Sequence, residues 1–439
     1  MTTAVTRPHR PWRTAGVAGM ASYLDAGVLF TTGIGLVLYA PIGVSATDIG
    51  YISGTLAIMF AVGSLFGGRL GDRFGRRRVF TFTLILYIIG VALSAFALNV
   101  PMLYLAAVVT GLAIGADLPV SLALVNEEAP RGKKGRMVAF TSLLWFAGII
   151  ASLALSSLVS PLGLLAGRIL FGHLLVVAII VLVLRLTIRE SVEWTAARDA
   201  SDAGSEQIQF TQLRQAFRAP VLWPTLALGL YVTLWALNSN TFSTFGTFFF
   251  TALAGTDVQF ASLVSLAGIV VGFAGAIVFI KIADTRARWP FFVIGTVLGL
   301  IALATPLVFG PTALSLSIFN VCFAAGAAFS GEAIYKLWSQ ELVPTLLRGT
   351  VQGIGFAVSR VVTAIAAFVI PGIALANSTL LFGLLFISGL IAALIGLLWV
   401  RRLPKATELE TAPVIVTDEH TADPAVESAA RPHATDPAS

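Results

Sequence analysis

The chain is poor in charge and nearly devoid of cysteine. Only 11% of its 439 residues are Asp, Glu, Lys or Arg, whereas 57% are hydrophobic. Soluble domains carry about 25% charged residues, so a soluble core could not bury this much apolar surface. A soluble protein is therefore excluded and a membrane protein with many spans is indicated. The single cysteine, Cys322, excludes a disulfide within the chain.

The sequence also lacks the patterns of common catalytic and energy-coupling sites. It contains no phosphate-cradling G-x-x-x-x-G-K-[ST] loop, no cluster of metal ligands and no Ser/His/Asp constellation. We therefore expect neither an enzyme nor an ATP-driven pump, and no cofactor or metal. The net charge of +6 does not indicate a nucleic-acid partner, because the basic residues lie in alternate loops between apolar segments.

Those apolar segments number twelve, and each is long enough to cross a bilayer, which takes about 20 residues in a helix. Loops without any Lys or Arg alternate with loops that hold nearly all of them, so the positive-inside rule places both termini in the cytoplasm. We expect an all-α membrane protein in the plasma membrane. The predicted helices are 16–40, 47–68, 79–98, 102–126, 138–159, 164–188, 221–251, 260–283, 289–309, 312–336, 350–374 and 378–400.

One polar segment divides these helices into six and six. We expect a cytoplasmic linker there, a short cytoplasmic tail before the first helix, and a disordered cytoplasmic tail rich in Ala, Thr, Pro, Asp and Glu after the last. The predicted parts are the N-terminal tail 1–15, the N-terminal half 16–188, the linker 189–220, the C-terminal half 221–402 and the C-terminal tail 403–439.

Two loops are repeated at nearly the same offset, which indicates that the halves are duplicates. The spacing E-x-x-P-x-x-x-[KR]-G occurs from Glu127 to Lys134 and again from Glu341 to Arg348. Asp72 has a counterpart in Asp284, which is also followed by arginines. Paired acids and bases at helix ends can cap exposed amides and neutralise one another. We interpret them as conformational latches; the alternative is ordinary surface charge.

The loop between the second and third helices carries the strongest motif of the chain. It reads Gly68-Arg69-Leu70-Gly71-Asp72-Arg73-Phe74-Gly75-Arg76-Arg77-Arg78. This run resembles the corresponding loop of major facilitator superfamily transporters. The resemblance implies two pseudo-symmetric six-helix halves with the solute site between them near the midplane. The predicted conformational residues are Gly68, Asp72, Arg73, Gly75, Arg76, Glu127, Lys134, Asp284, Glu341 and Arg348.

Further motifs resemble the sugar porter branch, and within it a bacterial inositol-transporter-like group. They include Leu24-Asp25-Ala26-Gly27-Val28 and the stretch Gly331-Glu332-Ala333-Ile334-Tyr335-Lys336-Leu337-Trp338-Ser339-Gln340-Glu341. The branch's arginine in the fourth helix would fall at Ala107, and its glutamine in the fifth at Ile149. Because these hexose contacts are missing, a polyol or another hydroxylated solute fits as well as glucose.

Three acids inside the predicted spans are candidates for proton coupling. A charge at the bilayer centre costs about 2.5–3.5 kcal/mol, so each needs a reason to be there. Asp25 lies about 14 Å into the first helix and is the first candidate; the alternative is a structural, paired aspartate. Asp117 is a second acid that could act on it. Glu332 is the third, although it could simply pair with Lys336 one turn away.

The predicted solute site uses the seventh and eleventh helices. Aromatic faces and amides suit a hydroxylated ring, which points to Trp235, Asn238, Asn240 and Thr241; packing is the alternative for the aromatic residues. We expect residues of helices 1, 4 and 5 opposite them. Arg360 could bind a solute hydroxyl or pair with Glu332.

The sequence therefore predicts a monomeric secondary transporter with a small-molecule solute, protons and the lipid bilayer as its partners. The favoured function is proton symport of a sugar or a cyclic polyol such as inositol by alternating access. The alternatives are a facilitator or exporter of an organic acid or drug-like compound, and a non-transporting solute sensor. A sensor usually carries large cytoplasmic signalling segments, and the short linker and tail leave little room for them.

Overall fold

The computed structural model describes residues 11–128, 134–186, 217, 221–283, 285–343 and 347–404. Within these ranges the chain is helical. The predicted tails and most of the predicted linker lie outside the described residues. The helices are α1 (Pro11–Leu38), α2 (Ala46–Phe74), α3 (Arg76–Ala95), α4 (Val100–Glu128), α5 (Lys134–Val159), α6 (Leu164–Arg185), α7 (Leu222–Phe248), α8 (Val258–Ile282), α9 (Arg288–Phe309), α10 (Ala313–Ser330), α11 (Glu332–Leu342), α12 (Arg348–Ala376) and α13 (Ser378–Leu394).

Short turns of other helix types extend several of these elements. A π-helical segment continues α7 and another continues α13, so both helices reach nearly as far as the sequence predicts. The segments are the 3₁₀ turns Ala40–Ile42, Ser160–Leu162 and Val400–Arg402 and the π-helices Phe249–Leu253 and Ile395–Trp399.

Eleven stretches of the described helices are long and apolar enough to cross a membrane. The predicted seventh span is present as α7, which has 27 residues, but it is not among the eleven. Its amides and hydroxyls, including Asn238 and Asn240, lower its hydropathy. A span this polar is tolerated where its polar face is turned away from lipid.

The joint between α2 and α3 is a single glycine. The sequence predicts that the second helix ends at residue 68, but α2 continues to Phe74. Gly75 then adopts φ 97°, in the region that favours glycine, and α3 begins at Arg76. Much of the predicted basic loop is therefore the last turn of α2 and the first turn of α3.

The predicted tenth helix is broken at Gly331, between α10 and α11. A Cβ atom at Gly331 would lie 2.2 Å from the Ala327 carbonyl oxygen and 2.9 Å from the Trp235 ring. The Tyr231 hydroxyl donates a hydrogen bond of 2.5 Å to the Ser330 carbonyl beside the break. Only glycine permits this approach, and the tyrosine satisfies a carbonyl that the interrupted helix leaves exposed.

Helices α1–α6 pack against one another, and so do α7–α13. The two groups meet chiefly where α2 contacts α12, α5 contacts α8 and α1 contacts α7. These contacts lie towards the same end of the molecule, which we name the contact end and define by Gly33, Gly50, Ser156, Thr244 and Ser262.

Backbones approach closely at the contact end because small residues line it. A Cβ at Gly33 would lie 2.3 Å from the Thr244 carbonyl oxygen, and one at Gly50 would lie 3.0 Å from the Ala367 carbonyl oxygen. The buried hydroxyls of Ser156 and Ser262 lie 2.8 Å apart. Small residues let helices associate through backbone packing where no water-driven hydrophobic force acts.

Candidate functional site

A cavity lies between the two groups of helices, next to the contact end; we call it the central cavity. α1 and α2 line one side, and α7 and α12 line the other, so the expected contribution of helices 4 and 5 is not observed. The polar lining residues are Thr32, Ser53, Asn240, Thr241, Thr244, Arg360 and Thr363.

Three predicted solute-binding residues therefore come together: Asn240, Thr241 and Arg360. The Asn240 Nδ2 donates to the Ala236 carbonyl at 2.9 Å, and the Thr241 hydroxyl donates to the Leu237 carbonyl at 2.6 Å. Each side chain thus uses a donor within its own helix. What the two offer to a solute is mainly acceptor capacity, which suits hydroxyl groups.

Arg360 is the cation of the central cavity. Its guanidinium carbon lies 5.0 Å from the centroid of the Phe60 ring across the cavity, a cation–π distance. Among the described residues no carboxylate lies within ion-pair distance of it. The predicted alternative partner, Glu332, instead pairs with Lys336 at 2.6 Å.

Trp235 and Asn238 line a different cavity, formed by α7, α9, α10 and α13. The Asn238 Nδ2 donates to Ser388 Oγ at 2.9 Å and to the Leu234 carbonyl at 3.0 Å, and its residue is 1% exposed. Residues two positions apart on an α-helix point in nearly opposite directions. The structure therefore separates Trp235 and Asn238 from Asn240 instead of bringing all three to one cavity.

Two of the three predicted proton-coupling acids share a third cavity, which we call the acidic cavity. It lies among α1, α3 and α4 and is lined by Asp25, Asp117, Thr83 and Tyr87. Tyr87 donates its hydroxyl hydrogen bond to the Leu24 carbonyl at 3.1 Å, so that donor is not directed at either acid.

Asp117 is neutralised within this cavity. Arg185 donates to both of its carboxylate oxygens, each at 3.0 Å, and the Thr83 hydroxyl donates at 2.5 Å. Arg185 is itself buried, donates to the Phe80 carbonyl at 2.5 Å and lies 3.2 Å over the Phe80 ring. A bidentate pair of this kind fixes the position of the carboxylate and supplies it with a counter-ion.

Asp25 has no such partner. It is 8% exposed, and its Oδ1 has no hydrogen-bond partner among the described residues. The charges that act on it are those of Arg360 and Asp117, but neither residue forms an ion pair with it. Of the two acids in the acidic cavity, Asp25 is therefore the one without a fixed counter-ion among the described residues.

Glu332 lies outside both the central and the acidic cavity. It begins α11 and forms an i,i+4 pair with Lys336, and the two side chains are 44% and 57% exposed. This geometry matches the alternative that the sequence left open for Glu332, a local ion pair.

One predicted latch residue of the second half, Glu341, forms an ion pair with a residue that was not predicted as its partner. Glu341 accepts a hydrogen bond and ion pair of 2.5 Å from Arg288, at the start of α9. Gly75 forms the joint already described. The remaining predicted latch residues have side chains outside the described part of the structure. They are Gly68, Asp72, Arg73, Arg76, Glu127, Lys134, Asp284 and Arg348.

Sequence reasoning missed Arg185 and Phe60. Arg185 could have been noticed as a basic residue still inside the predicted sixth helix, where a charge needs a partner. Phe60 carries no such signal, because one phenylalanine in an apolar run resembles any other.

Comparisons with known proteins agree with this architecture. The sequence model described as Major Facilitator Superfamily matches residues 15–367. The chain is 30% identical over 367 residues to the minor myo-inositol transporter IolF of Bacillus subtilis, covering 81% of this chain and 82% of that one. It is 26% identical over 355 residues to a putative niacin/nicotinamide transporter NiaP of the same organism, covering 79% and 84%.

A solved structure of a D-xylose-proton symporter superposes with a TM-score of 0.75 at 16% identity, covering 90% of this chain and 98% of that one. At this identity the likeness shows the fold alone. The curated relatives are transporters and not enzymes. With a family model matched over most of its length, this chain belongs to the major facilitator superfamily.

Proposed function

We propose that the chain is a secondary active transporter that moves a small hydroxylated solute across the plasma membrane by alternating access, with proton symport. In this proposal the fold has two six-helix halves. Adding α7 to the eleven apolar stretches gives twelve spans, and α10 and α11 together form one of them. Both termini are cytoplasmic, so the contact end faces outwards.

The observation that carries the proposal is the central cavity itself. Hydroxyl groups from α1 and α2 face hydroxyl, amide and guanidinium groups from α7 and α12. A hydroxylated ring or chain fits such a lining, because each hydroxyl both donates and accepts. The match to a transporter named for myo-inositol supports the same solute class.

Alternating access follows from where the cavity lies. It sits between the two groups of helices, directly beside the backbone contacts of the contact end. Separating Gly33 from Thr244 and Ser156 from Ser262 would open the cavity on that side. The ion pair of Arg288 with Glu341 joins the start of α9 to the end of α11, on the side opposite the contact end, and would act as one of the latches there.

Proton coupling is assigned to Asp25. When Asp25 is ionised, its negative charge attracts Arg360 and repels Asp117. When Asp25 is protonated, that charge is absent and Arg360 is an uncompensated cation beside the solute. The protonation state of Asp25 therefore changes the electrostatics of the solute site from a neighbouring cavity. A coupling of this kind requires only that the two conformations differ in their affinity for the proton.

The experiment is uptake into proteoliposomes of a panel of labelled neutral and acidic hydroxylated solutes, with and without an inward proton gradient. We expect uptake of at least one member of the panel, accelerated by the gradient. Asn240→Ala should weaken apparent affinity through loss of a hydrogen bond worth about 0.5–1.5 kcal/mol.

Asn238→Ala is the matched control, because it removes the same side chain from the other face of α7. Its effect should appear in protein stability and not in solute affinity. Uptake of no hydroxylated solute by well-folded protein, or equal affinity losses in the two variants, would refute the proposed function or its site.

A further inference from the structure

We propose that the transported solute is a polyhydroxylated monocarboxylate and that Arg360 binds its carboxylate. This inference rests on the proposed function and narrows it: the hydroxyl-binding residues of the central cavity recognise the body of the solute, and the arginine recognises its charge. The observation behind it is a cation that faces the central cavity and has no carboxylate of the described residues within ion-pair distance.

Arg185 provides an internal comparison, because it is an arginine whose charge is compensated by the protein. Arg185 is held by both oxygens of Asp117 and by the Phe80 carbonyl, and it stacks on the Phe80 ring. Arg360 has the aromatic ring, Phe60, but none of the acceptors among the described residues. Its guanidinium donors are therefore left for a ligand.

A carboxylate is the ligand that best completes this arrangement. The guanidinium presents planar donors in a fork that matches two carboxylate oxygens, and such charge-assisted pairs are about twice as strong as neutral hydrogen bonds. A neutral polyol would use the same donors but would bring no negative charge to compensate the partly buried guanidinium.

The remaining lining is complementary to hydroxyls and not to a second charge. Thr32 and Ser53 face Asn240, Thr241 and Thr363, and no Lys, Asp or Glu among the described residues contributes to the lining. This favours a solute with several hydroxyls and one carboxylate over a dicarboxylate or an apolar acid.

Asp25 makes the same solute compatible with proton symport. Its charge and that of Arg360 act on each other, so ionised Asp25 partly satisfies the arginine when the cavity is empty. Binding of an anion at Arg360 would then be opposed by ionised Asp25 and favoured by protonated Asp25. One proton and one monoanion would bind together, and their transport would move no net charge.

The test compares D-glucuronate with D-glucose, which share a ring and differ at one carbon in bearing a carboxylate or a hydroxymethyl group. We expect the full-length protein to bind D-glucuronate at least about tenfold more tightly, as a charge-assisted pair implies. Arg360→Gln should abolish this preference and Arg360→Lys should retain part of it. Lys336→Gln, which removes a cation outside the cavity, should retain all of it.

Transport adds a second readout. In proteoliposomes, D-glucuronate uptake should respond to an inward proton gradient but not to a membrane potential imposed with potassium and valinomycin. Binding of D-glucose as tight as that of D-glucuronate, or a preference unchanged in Arg360→Gln, would overturn the inference while leaving the proposed function intact. If neither sugar nor sugar acid, nor myo-inositol, is transported, the proposed function fails as well.

Discussion

Asp25 and Asp117 line the same cavity but have opposite surroundings. Asp117 is bound through both oxygens by Arg185 and receives a third hydrogen bond from Thr83. Asp25 is equally buried and has a carboxylate oxygen with no partner among the described residues. Burial alone therefore does not assign a role to an intramembrane acid; the presence or absence of a fixed counter-ion does.

The two arginines repeat the contrast. Arg185 forms an ion pair with Asp117, whereas Arg360 has no ion pair among the described residues and faces the central cavity. The paired residues, Asp117 and Arg185, are the part of the site that we expect to keep its contacts. The unmatched acid and arginine act on each other only at a distance. In our proposal they are the groups whose partners change when a proton and a solute bind. This difference is the central claim, and the following variants test it.

The largest expected effect is on stability, from Asp117→Asn. Removing one partner of a buried ion pair leaves an uncompensated charge and typically costs about 3–5 kcal/mol. Thermal unfolding of the purified protein should show a large destabilisation, whereas Asp25→Asn should change stability little because it removes no pair.

A double variant separates charge from packing at the same place. Asp117→Leu with Arg185→Met removes both charges and should recover much of the stability lost in Asp117→Asn, because apolar replacements of buried pairs are often neutral. Equal destabilisation by Asp25→Asn and Asp117→Asn would break the comparison between the two acids.

A cross-link at the contact end tests whether the unmatched groups work through alternating access. The Ser156 and Ser262 hydroxyls are 2.8 Å apart, so cysteines at these positions should form a disulfide in a Cys322→Ala background. Oxidation should abolish solute exchange, and a reductant should restore it, whether Asp25 is intact or replaced by Asn.

Each single-cysteine variant is the control for this cross-link, since oxidation should leave its exchange unchanged. Full exchange by protein that is shown to be cross-linked would mean that the contact end does not open. The role of Asp25 would then have to be sought outside the alternating-access cycle.

The smallest expected effect is that of Glu332→Gln. Glu332 and Lys336 form an exposed pair one helical turn apart, and pairs of this type are worth about 0.2–0.5 kcal/mol. We expect proton-driven accumulation within error of the wild type and a barely measurable change in melting temperature. Loss of proton coupling in this variant would make Glu332 a carrier and would remove the special status of Asp25.

The sequence was sufficient for the parts of the fold that depend on composition and periodicity. Apolar runs predict the helices, and an aspartate near the middle of the first span is visible without a structure. It was harder to predict which cavity a polar residue lines, because this depends on the face of the helix on which the residue lies. Asn238 and Asn240 are both polar residues of α7, yet one binds Ser388 and the other faces the central cavity.

Pairings between distant helices could not be predicted at all. Arg185 and Asp117 are far apart in the chain, and either could have been a free charge until their contact was seen. The break at Gly331 was also hidden, because it depends on Tyr231 and Trp235 of another helix packing beside it.

The most direct test of the central claim measures two activities of Asp25→Asn in proteoliposomes: accumulation driven by a pH gradient, and solute exchange. Asparagine fixes the neutral state, so accumulation driven by a pH gradient should be lost, while exchange of labelled for unlabelled solute should continue because the access machinery is unchanged. Asp25→Glu, which retains a titratable group, is the matched control and should recover part of the accumulation. If Asp25→Asn still concentrates solute against its gradient in response to the pH gradient, Asp25 does not carry the coupled proton and the account is contradicted.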